Sequence, residues 1–183
     1  MEMKRCSWCN VKNELYVKYH DEEWGVPNFD ERYLYEMQIL ESFQAGLSWE
    51  CVLNKRENFR KAYDGFDIQK VVKYDEQKIN ELMNEKGIIR CRRKILASIQ
   101  NSIIFKAIAE EFGSFYNYLR SFAGDEVLFE TGRIKNSLSD LISKDLQKRG
   151  MKYVGSVIVY SYLQAIGIIF SHEHGCHLAQ KGK

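Results

Sequence analysis

The stretch Lys-Arg-Gly-Met-Lys-Tyr-Val-Gly, residues 148–155, lies between two segments with the apolar spacing of helices. Residues 141–148 predict one helix, and the chain from Ser156 onward predicts the next. Gly150 and Gly155, five positions apart, predict a tight hairpin between them. Backbone N–H groups at the start of the second helix can point outward at a phosphate. The stretch therefore predicts a helix–hairpin–helix unit of the kind that binds nucleic acid, although many helical turns also contain two glycines.

Basic side chains surround the predicted hairpin. Lys148, Arg149 and Lys152 lie within or beside it. A second basic run, earlier in the chain, consists of Arg90, Arg92, Arg93 and Lys94. Such runs are usually solvated helix faces, but they also suit the phosphates of DNA. The net charge of +2 does not by itself indicate nucleic acid.

The rest of the chain predicts an all-α fold. Apolar residues recur at helical spacing almost throughout, sustained alternation is absent, and one proline occurs in 183 residues. Asp64-Gly65 reads as a helix end rather than a hairpin turn. We expect a single domain, residues 1–183, with two helical lobes around a cleft. One lobe combines residues 1–65 with 126–183, and the middle lobe spans about 66–125.

The amino-acid composition favours a globular protein with no membrane span. Apolar residues make up 45% of the chain, enough for a substantial core, yet no run is long enough to span a bilayer. The N-terminus has no apolar stretch of a signal peptide. Five cysteines without an export signal favour a reducing compartment, so we expect a cytoplasmic protein with free or metal-bound thiols. We also expect a monomer without membrane contact.

Cysteines and histidines occur near both ends of the chain. The set is Cys6, His20, His172 and Cys176. Two thiols and two imidazoles suit a closed tetrahedral Zn²⁺ site, which would join the two ends rather than catalyse. The alternative is that these are ordinary residues. The ligand pairing stays open at this point, because Cys9, His174 and His177 lie close by.

Glu41 lies on the apolar stripe Leu34, Met37, Glu41, whose spacing puts all three on one helix face. Burying an unpaired carboxylate is costly, so Glu41 either reaches solvent at the edge of the stripe or acts as a pocket acid that meets a cation or N–H donors. The following Gln-Ala-Gly-Leu-Ser-Trp, residues 44–49, predicts a helix end and a new helix start.

Four stretches together resemble the 3-methyladenine DNA glycosylase I family of the helix–hairpin–helix superfamily. They are Tyr-His-Asp-Glu-Glu-Trp-Gly-Val-Pro (19–27), Gln-Ala-Gly-Leu-Ser-Trp (44–49), Gly-Ile-Ile-Arg (87–90) with Lys94 beyond, and the hairpin at 148–155. They cover nearly the whole chain, so the resemblance is to a full-length protein.

The resemblance implies specific roles. Structural zinc would be bound by Cys6, His20, His172 and Cys176. Cys6 is favoured over Cys9 because Cys-x-Trp is the family pattern, although Cys6 and His20 are one residue further apart than that pattern has them. The base pocket would contain Trp8, Tyr16, Tyr19, Glu41 and Trp49.

The implied activity is removal of 3-methyladenine from double-stranded DNA, with the free base as product. Glu41 and Tyr19 would act on the base, and Trp49 would stack on it. Gly46 and Leu47 would enter the gap left in the duplex, and Gln44 would also bind the DNA. Gly155 to Ser171 contains no Asp or Glu, so a strong catalytic base is missing. Two rivals are a non-enzymatic binder of alkylated DNA and a zinc-clasped helical regulator without a base pocket.

Overall fold

The computed structural model describes residues 3–179, and more than half of them lie in helices. The α-helices are α1 (Glu14–Glu22), α2 (Glu31–Gln44), α3 (Trp49–Leu53), α4 (Arg56–Ala62), α5 (Ile68–Val71), α6 (Glu76–Asn84), α7 (Arg92–Phe112), α8 (Phe115–Ala123), α9 (Ser137–Lys148) and α10 (Ser156–Ala165). A 3₁₀ turn at Asp64–Phe66 follows α4, as the Asp-Gly pair predicted for a helix end.

Local sequence fixes where most of these helices begin. A short polar residue precedes the first turn and accepts a hydrogen bond from a backbone N–H that has no partner inside the helix. These caps are Asn13, Asp30, Ser48, Asp67, Asp75, Ser114 and Asn136. The predicted cap at Ser48 is confirmed, since its side chain accepts from the N–H of Cys51.

Helix α2 runs through the centre of the molecule. Every residue from Leu34 to Phe43 is buried, and the helix packs against α10 on one side and α7 on another. A helix buried all round must satisfy its polar side chains internally. Glu36 does so by pairing with Arg56 and Arg60.

Besides its helices, the described part of the chain contains one short parallel pairing of strands. Strand β1 (Leu128–Phe129) pairs with β2 (Ile169–Phe170). Two residues per strand are too few to give an alternating pattern, so sequence periodicity could not predict them. The pairing ties the segment before α9 to the segment that carries His172.

The predicted hairpin corresponds to a short connection, residues 149–155, between α9 and α10. Gly150 (φ 102°) and Tyr153 (φ 55°) both adopt left-handed backbone conformations. Gly155 occupies the N-cap position of α10 and makes no side-chain capping hydrogen bond. The first N–H groups of α10 therefore have no capping partner from Gly155. No helix in the part of the chain that the structure describes is long and apolar enough to cross a membrane.

Candidate base pocket and metal centre

Glu41 occupies the most unusual position in the core. Its side chain is 3% exposed, and Oε2 has no hydrogen-bond partner among the described residues. Burial raises the pKa of its carboxyl group to about 8. The alternative in which Glu41 reaches solvent is therefore wrong. The cation or N–H donors expected for a pocket acid are not supplied by the described part of the chain.

Glu41 lines a cavity of about 400 Å³ whose walls on this side are aromatic. The aromatic residues are Trp8, Tyr16, Tyr19, Trp24 and Trp49. Tyr19 and Trp49 are 5.4 Å apart between ring centroids, and Trp8 meets Trp24 edge-on at 4.7 Å. The structure thus brings together all five residues predicted for a base pocket, and it adds Trp24.

The cavity also has polar lining residues. Ser161 and Gln164 come from α10, Ser171 and Glu173 flank His172, and the loop Gly132–Ile134, which we call the rim loop, also lines the cavity. None of these residues was predicted for the pocket from the sequence. Ser161 and Gln164 left a usable signal, since they are polar residues three apart on an otherwise apolar helix. The rim loop carries no recognisable pattern.

Two tyrosines beside Glu41 stay protonated at neutral pH. Burial raises the pKa of Tyr16 to about 12, and it raises the pKa of Tyr19 well above the usual value of 10. The nearby Glu41 carboxylate adds to both shifts. The pocket therefore presents two neutral phenols next to an acid whose ionisation is suppressed.

The turn after α2 adjoins this pocket through Gln44, and we call residues 44–47 the wedge turn. The Leu47 N–H donates to the Gln44 carbonyl at 2.7 Å, and Gly46 has φ 77°. Leu47 is 38% exposed, while Gln44 is half-buried and lines the cavity. An apolar side chain is thus presented beside a pocket of aromatic residues.

The residues predicted to bind DNA through the hairpin differ in their surroundings. Lys148 and the side chain of Lys152 are exposed. Arg149 is held by carboxylates, with ion pairs to Asp145 (2.7 Å) and Glu111 (2.6 Å). A Cβ placed on Gly155 would meet no atom within 4 Å, so the α10 N-terminus is open to a ligand.

The second basic run, residues 90–94, has fewer side chains free to contact DNA phosphates than its sequence indicated. Arg92 pairs with Glu76 at 2.8 Å. Lys94 turns inward, and its ammonium donates to the carbonyls of Phe43 (2.6 Å) and Ala45 (2.7 Å). Arg93 remains exposed.

Cys6, His20, His172 and Cys176 come together as a buried cluster, with their ligand atoms within 4.8 Å of one another. Sulfur–nitrogen separations are 3.5 Å from Cys6 to His172, and 3.6 Å from Cys176 to His20 and to His172. Bonds of about 2.3 Å to sulfur and 2.0–2.1 Å to nitrogen at tetrahedral angles give about 3.6 Å between such atoms. The donor set therefore fits a tetrahedral ion.

Hydrogen bonds outside the cluster orient both imidazoles toward its centre. His20 Nδ1 lies 2.7 Å from Asp21 Oδ1, and His172 Nε2 lies 3.2 Å from the Trp24 carbonyl. Each ring thereby turns its other nitrogen to the thiols, which is the usual arrangement around a bound metal. Backbone N–H groups of Glu173 and Leu178 donate to the two sulfurs.

The other candidate metal ligands, Cys9, His174 and His177, lie outside the cluster. The Cys9 thiol is directed at the carbonyl of Tyr16, at 3.8 Å. His177 Nδ1 lies 3.1 Å from the Lys4 carbonyl, and His174 is exposed. None of these three belongs to the buried cluster of the described residues.

Comparisons with known proteins match nearly the full length of the chain. The model of the methyladenine glycosylase family matches residues 8–180. DNA-3-methyladenine glycosylase 1 of Escherichia coli K12 is 41% identical over 180 residues, which is 95% of this chain and 96% of that protein. DNA-3-methyladenine glycosylase of Haemophilus influenzae Rd is 34% identical over 178 residues, covering 94% and 96%.

A solved structure gives the same result for the fold. It is a variant of 3-methyladenine DNA glycosylase I in complex with 3-methyladenine, and it superposes with a TM-score of 0.92 at 30% identity. The superposition covers 99% of this chain and 100% of the other. The family-wide match and these relatives show that the chain belongs to the methyladenine glycosylase family.

Proposed function

We propose that this protein is a DNA glycosylase that takes 3-methyladenine out of the duplex and removes it by hydrolysis. The observation that carries the proposal is the buried, unpartnered carboxyl group of Glu41 in an aromatic cavity. A purine ring can stack on aromatic walls, and its edge can supply the hydrogen-bond donors that Glu41 lacks. The relatives described above are named for the same activity.

Recognition is assigned to the aromatic side of the cavity. Trp49 stacks on the extruded base, and Tyr16, Tyr19 and Trp8 surround it. Glu41 accepts hydrogen bonds from the adenine edge, and the positive charge that methylation places on the ring favours loss of the Glu41 proton when the base is bound. A neutral purine does not stabilise the ionised carboxylate in this way, so Glu41 discriminates for the alkylated base.

The chemical step needs little help from the enzyme. In a 3-methyladenine nucleotide the base is already cationic, so it leaves with the electron pair of the glycosidic bond. Water adds its hydroxide to the sugar carbon, and the remaining proton goes to solvent. No lysine lines the cavity formed by residues 3–179, so the pocket offers no amine for a covalent intermediate. We therefore propose a monofunctional hydrolase without a strong catalytic base.

DNA binding is assigned to the hairpin and the wedge turn. The open N-terminus of α10 at Gly155 receives a phosphate, with Lys148 and Lys152 adding charge. Gly46 and Leu47 enter the gap that the extruded nucleotide leaves. These contacts hold the duplex without reading its sequence.

The buried cluster is proposed to hold zinc. Cys6, His20, His172 and Cys176 would supply four ligands, which leaves no open position, so the ion would stabilise the fold and take no part in the reaction. The ion would also help to position pocket residues, because Trp8 and Tyr19 line the pocket and lie within two positions of the ligands Cys6 and His20.

The test is chromatography of the bases released from methylated genomic DNA. We expect 3-methyladenine to be released and 7-methylguanine, whose glycosidic bond is more stable, to stay in the DNA. Each tenfold deficit in rate corresponds to about 1.4 kcal/mol of barrier. Glu41→Gln should lower the release of 3-methyladenine while the protein stays folded. Tight binding of methylated DNA without release of any base would identify a binder instead of an enzyme.

A further inference from the structure

The wedge turn has a defined backbone form. Ala45 has φ −47° and ψ 114°, Gly46 has φ 77°, and the Leu47 N–H donates to the Gln44 carbonyl at 2.7 Å. These values describe a type II β-turn. In that type the peptide between the two central residues is flipped relative to type I, so the direction of the Ala45 carbonyl distinguishes the two forms.

Lys94 binds that carbonyl. Its ammonium donates to Ala45 O at 2.7 Å and to Phe43 O at 2.6 Å, so one cation satisfies both the turn and the end of α2. Bonds from a charged donor are about twice as strong as neutral ones, and a cation is favoured at a helix C-terminus. Lys94 therefore favours the type II form of the wedge turn over the type I form.

The same ammonium touches the hairpin. It lies 5.7 Å from the centroid of the Tyr153 ring. Tyr153 has φ 55°, a conformation that is unfavourable for a residue with a bulky side chain and needs support from its surroundings. One side chain of α7 thus contacts both elements that we assign to DNA.

Asn101 makes a second connection from α7 to the hairpin. It is fully buried, accepts from the Lys152 N–H at 2.8 Å and donates to the Lys152 carbonyl at 2.9 Å. Lys94 and Asn101 are seven residues apart, which places them on one face of α7 about 10 Å apart along its axis. Helix α7 therefore fixes the spacing between the hairpin and the wedge turn.

We propose that Lys94 and Asn101 are positioning residues that couple the hairpin to the wedge turn, so that phosphate binding places Leu47 at the gap in the duplex. The inference rests on the proposed function and adds to it how binding at the hairpin reaches the base. A wedge turn held in one form before binding does not have to be ordered when the duplex arrives.

The experiment compares excision from methylated duplex with excision from the same DNA as single strands. Lys94→Met removes the ammonium and keeps a long side chain. We expect release of 3-methyladenine from duplex to fall at least about tenfold, which is about 1.4 kcal/mol. Release from single strands should change little, because an unpaired base needs no wedge. Lys94→Arg, which keeps charged donors, should restore part of the duplex activity.

Two further variants separate the positioning role of Lys94 and Asn101 from a general loss of positive charge. Arg93→Met removes an exposed charge from the same turn of α7 and should lower release from both forms of DNA by the same factor. Asn101→Asp keeps the acceptor for the Lys152 N–H, loses the donor to its carbonyl, and should weaken binding to undamaged duplex. Melting temperatures of all variants identify any loss of fold.

Fluorescence of 2-aminopurine in a duplex reports base extrusion without excision, and Lys94→Met should reduce it. An unchanged ratio of duplex to single-strand release in Lys94→Met, with unchanged 2-aminopurine fluorescence, would overturn the coupling. A wild-type protein that releases no base from either DNA would overturn the proposed function, and the fluorescence comparison would then still decide whether Lys94 positions the wedge turn.

Discussion

At the scale of single residues, α2 contains two buried glutamates with opposite surroundings. Glu36 has two arginine partners, whereas Glu41 has no partner for Oε2 within residues 3–179. A buried acid without a partner keeps its proton, because ionisation would leave an uncompensated charge in a medium of low polarity. The difference supports a structural role for Glu36 and the proposed ligand-binding role for Glu41.

The raised pKa of Glu41 predicts a dependence of stability on pH. Between about 4.5 and 8 the unfolded chain loses this proton while the folded chain keeps it. The free energy of unfolding therefore falls as pH rises through this window, by up to about 1.4 kcal/mol per unit, and levels off above it. Glu41→Gln should remove this fall and gain stability over the wild type from pH 5 to pH 8.

Urea unfolding at three pH values across the window measures this difference. Tyr16 and Tyr19, the titratable groups that face Glu41, stay neutral throughout and do not contribute. Glu22→Gln, which removes an exposed carboxyl group from α1, provides the control. A Glu41→Gln difference that does not change with pH would mean that the Glu41 carboxylate is ionised in the free protein.

Gly46 supports a second prediction at this scale. Its φ of 77° is left-handed, while an added Cβ would meet no atom within 4 Å. Gly46→Ala should therefore cost about 1–2 kcal/mol of backbone strain without a steric clash. Gly155→Ala is the matched control for stability, since Gly155 has φ −63° and equally open surroundings. Equal free energies of unfolding for the two variants would contradict this assignment.

Residues of an unusual type for their place in the sequence could be predicted as site residues. Residues whose role depends on contacts with distant segments could not. Glu41 was predicted because a carboxylate interrupts an apolar stripe, and the four metal-binding candidates because their types are rare and soft. Lys94 was grouped with its basic neighbours, although its ammonium faces two carbonyls. Nothing in a charge run tells which member turns inward, because that depends on a turn fifty residues away.

At the scale of elements, the hairpin predicts a specific response to salt and to an added charge. Binding of undamaged duplex should weaken steeply as salt rises, because phosphate contacts release counterions. Gly155→Asp places a carboxylate at the open end of α10, where it should repel a phosphate in any sequence. Leu141→Asp adds the same charge at an exposed site on α9 and is the control.

Fluorescence anisotropy at several salt concentrations measures both variants. We expect Gly155→Asp to bind more weakly than Leu141→Asp at every concentration and to have a shallower dependence on salt. Equal affinities would mean that the hairpin is only a structural turn.

Helix α7 illustrates where periodicity fails at this scale. Ile95, Ile99 and Ile103 recur at helical spacing, yet Ile95 is buried and Ile103 is 46% exposed. Much of the buried face is polar, with Ser98 and Ser102 hydrogen-bonded to tyrosines and Asn101 bonded to the hairpin. Buried polar side chains that serve other elements are indistinguishable in sequence from exposed ones, so the register of α7 could not be predicted.

At the scale of the whole molecule, the buried Cys and His cluster connects segments from opposite ends of the sequence. We expect metal analysis to find about one zinc per chain. Cys176→Ser, or removal of the ion by a chelator, should lower the melting temperature markedly, because metal-binding free energy contributes to folding free energy. Cys9→Ser is the control, since that buried thiol lies outside the cluster. A metal-free protein with an unchanged melting temperature would exclude a structural ion.

The division into two lobes, with boundaries near residues 65 and 125, stays a prediction. Sequence supported the helical class because the 3.6-residue period recurs in so many segments. The pairing of Leu128–Phe129 with Ile169–Phe170 and the rim loop at Gly132–Ile134 depend on contacts between distant segments, which leave no local pattern.

The meeting of the two terminal segments has a topological consequence. The His177 N–H donates to the Lys4 carbonyl at 2.8 Å, beside the cluster that joins Cys6 to Cys176. Chain ends are normally where a fold begins to fray. Here residues 4–6 and residues 176–177 hold each other, so the backbone between them approximates a closed ring. A short peptide bridging residues 4 and 177 would complete that ring, and a new opening at the exposed stretch around Gly124 would leave the pocket, the hairpin and α7 uncut.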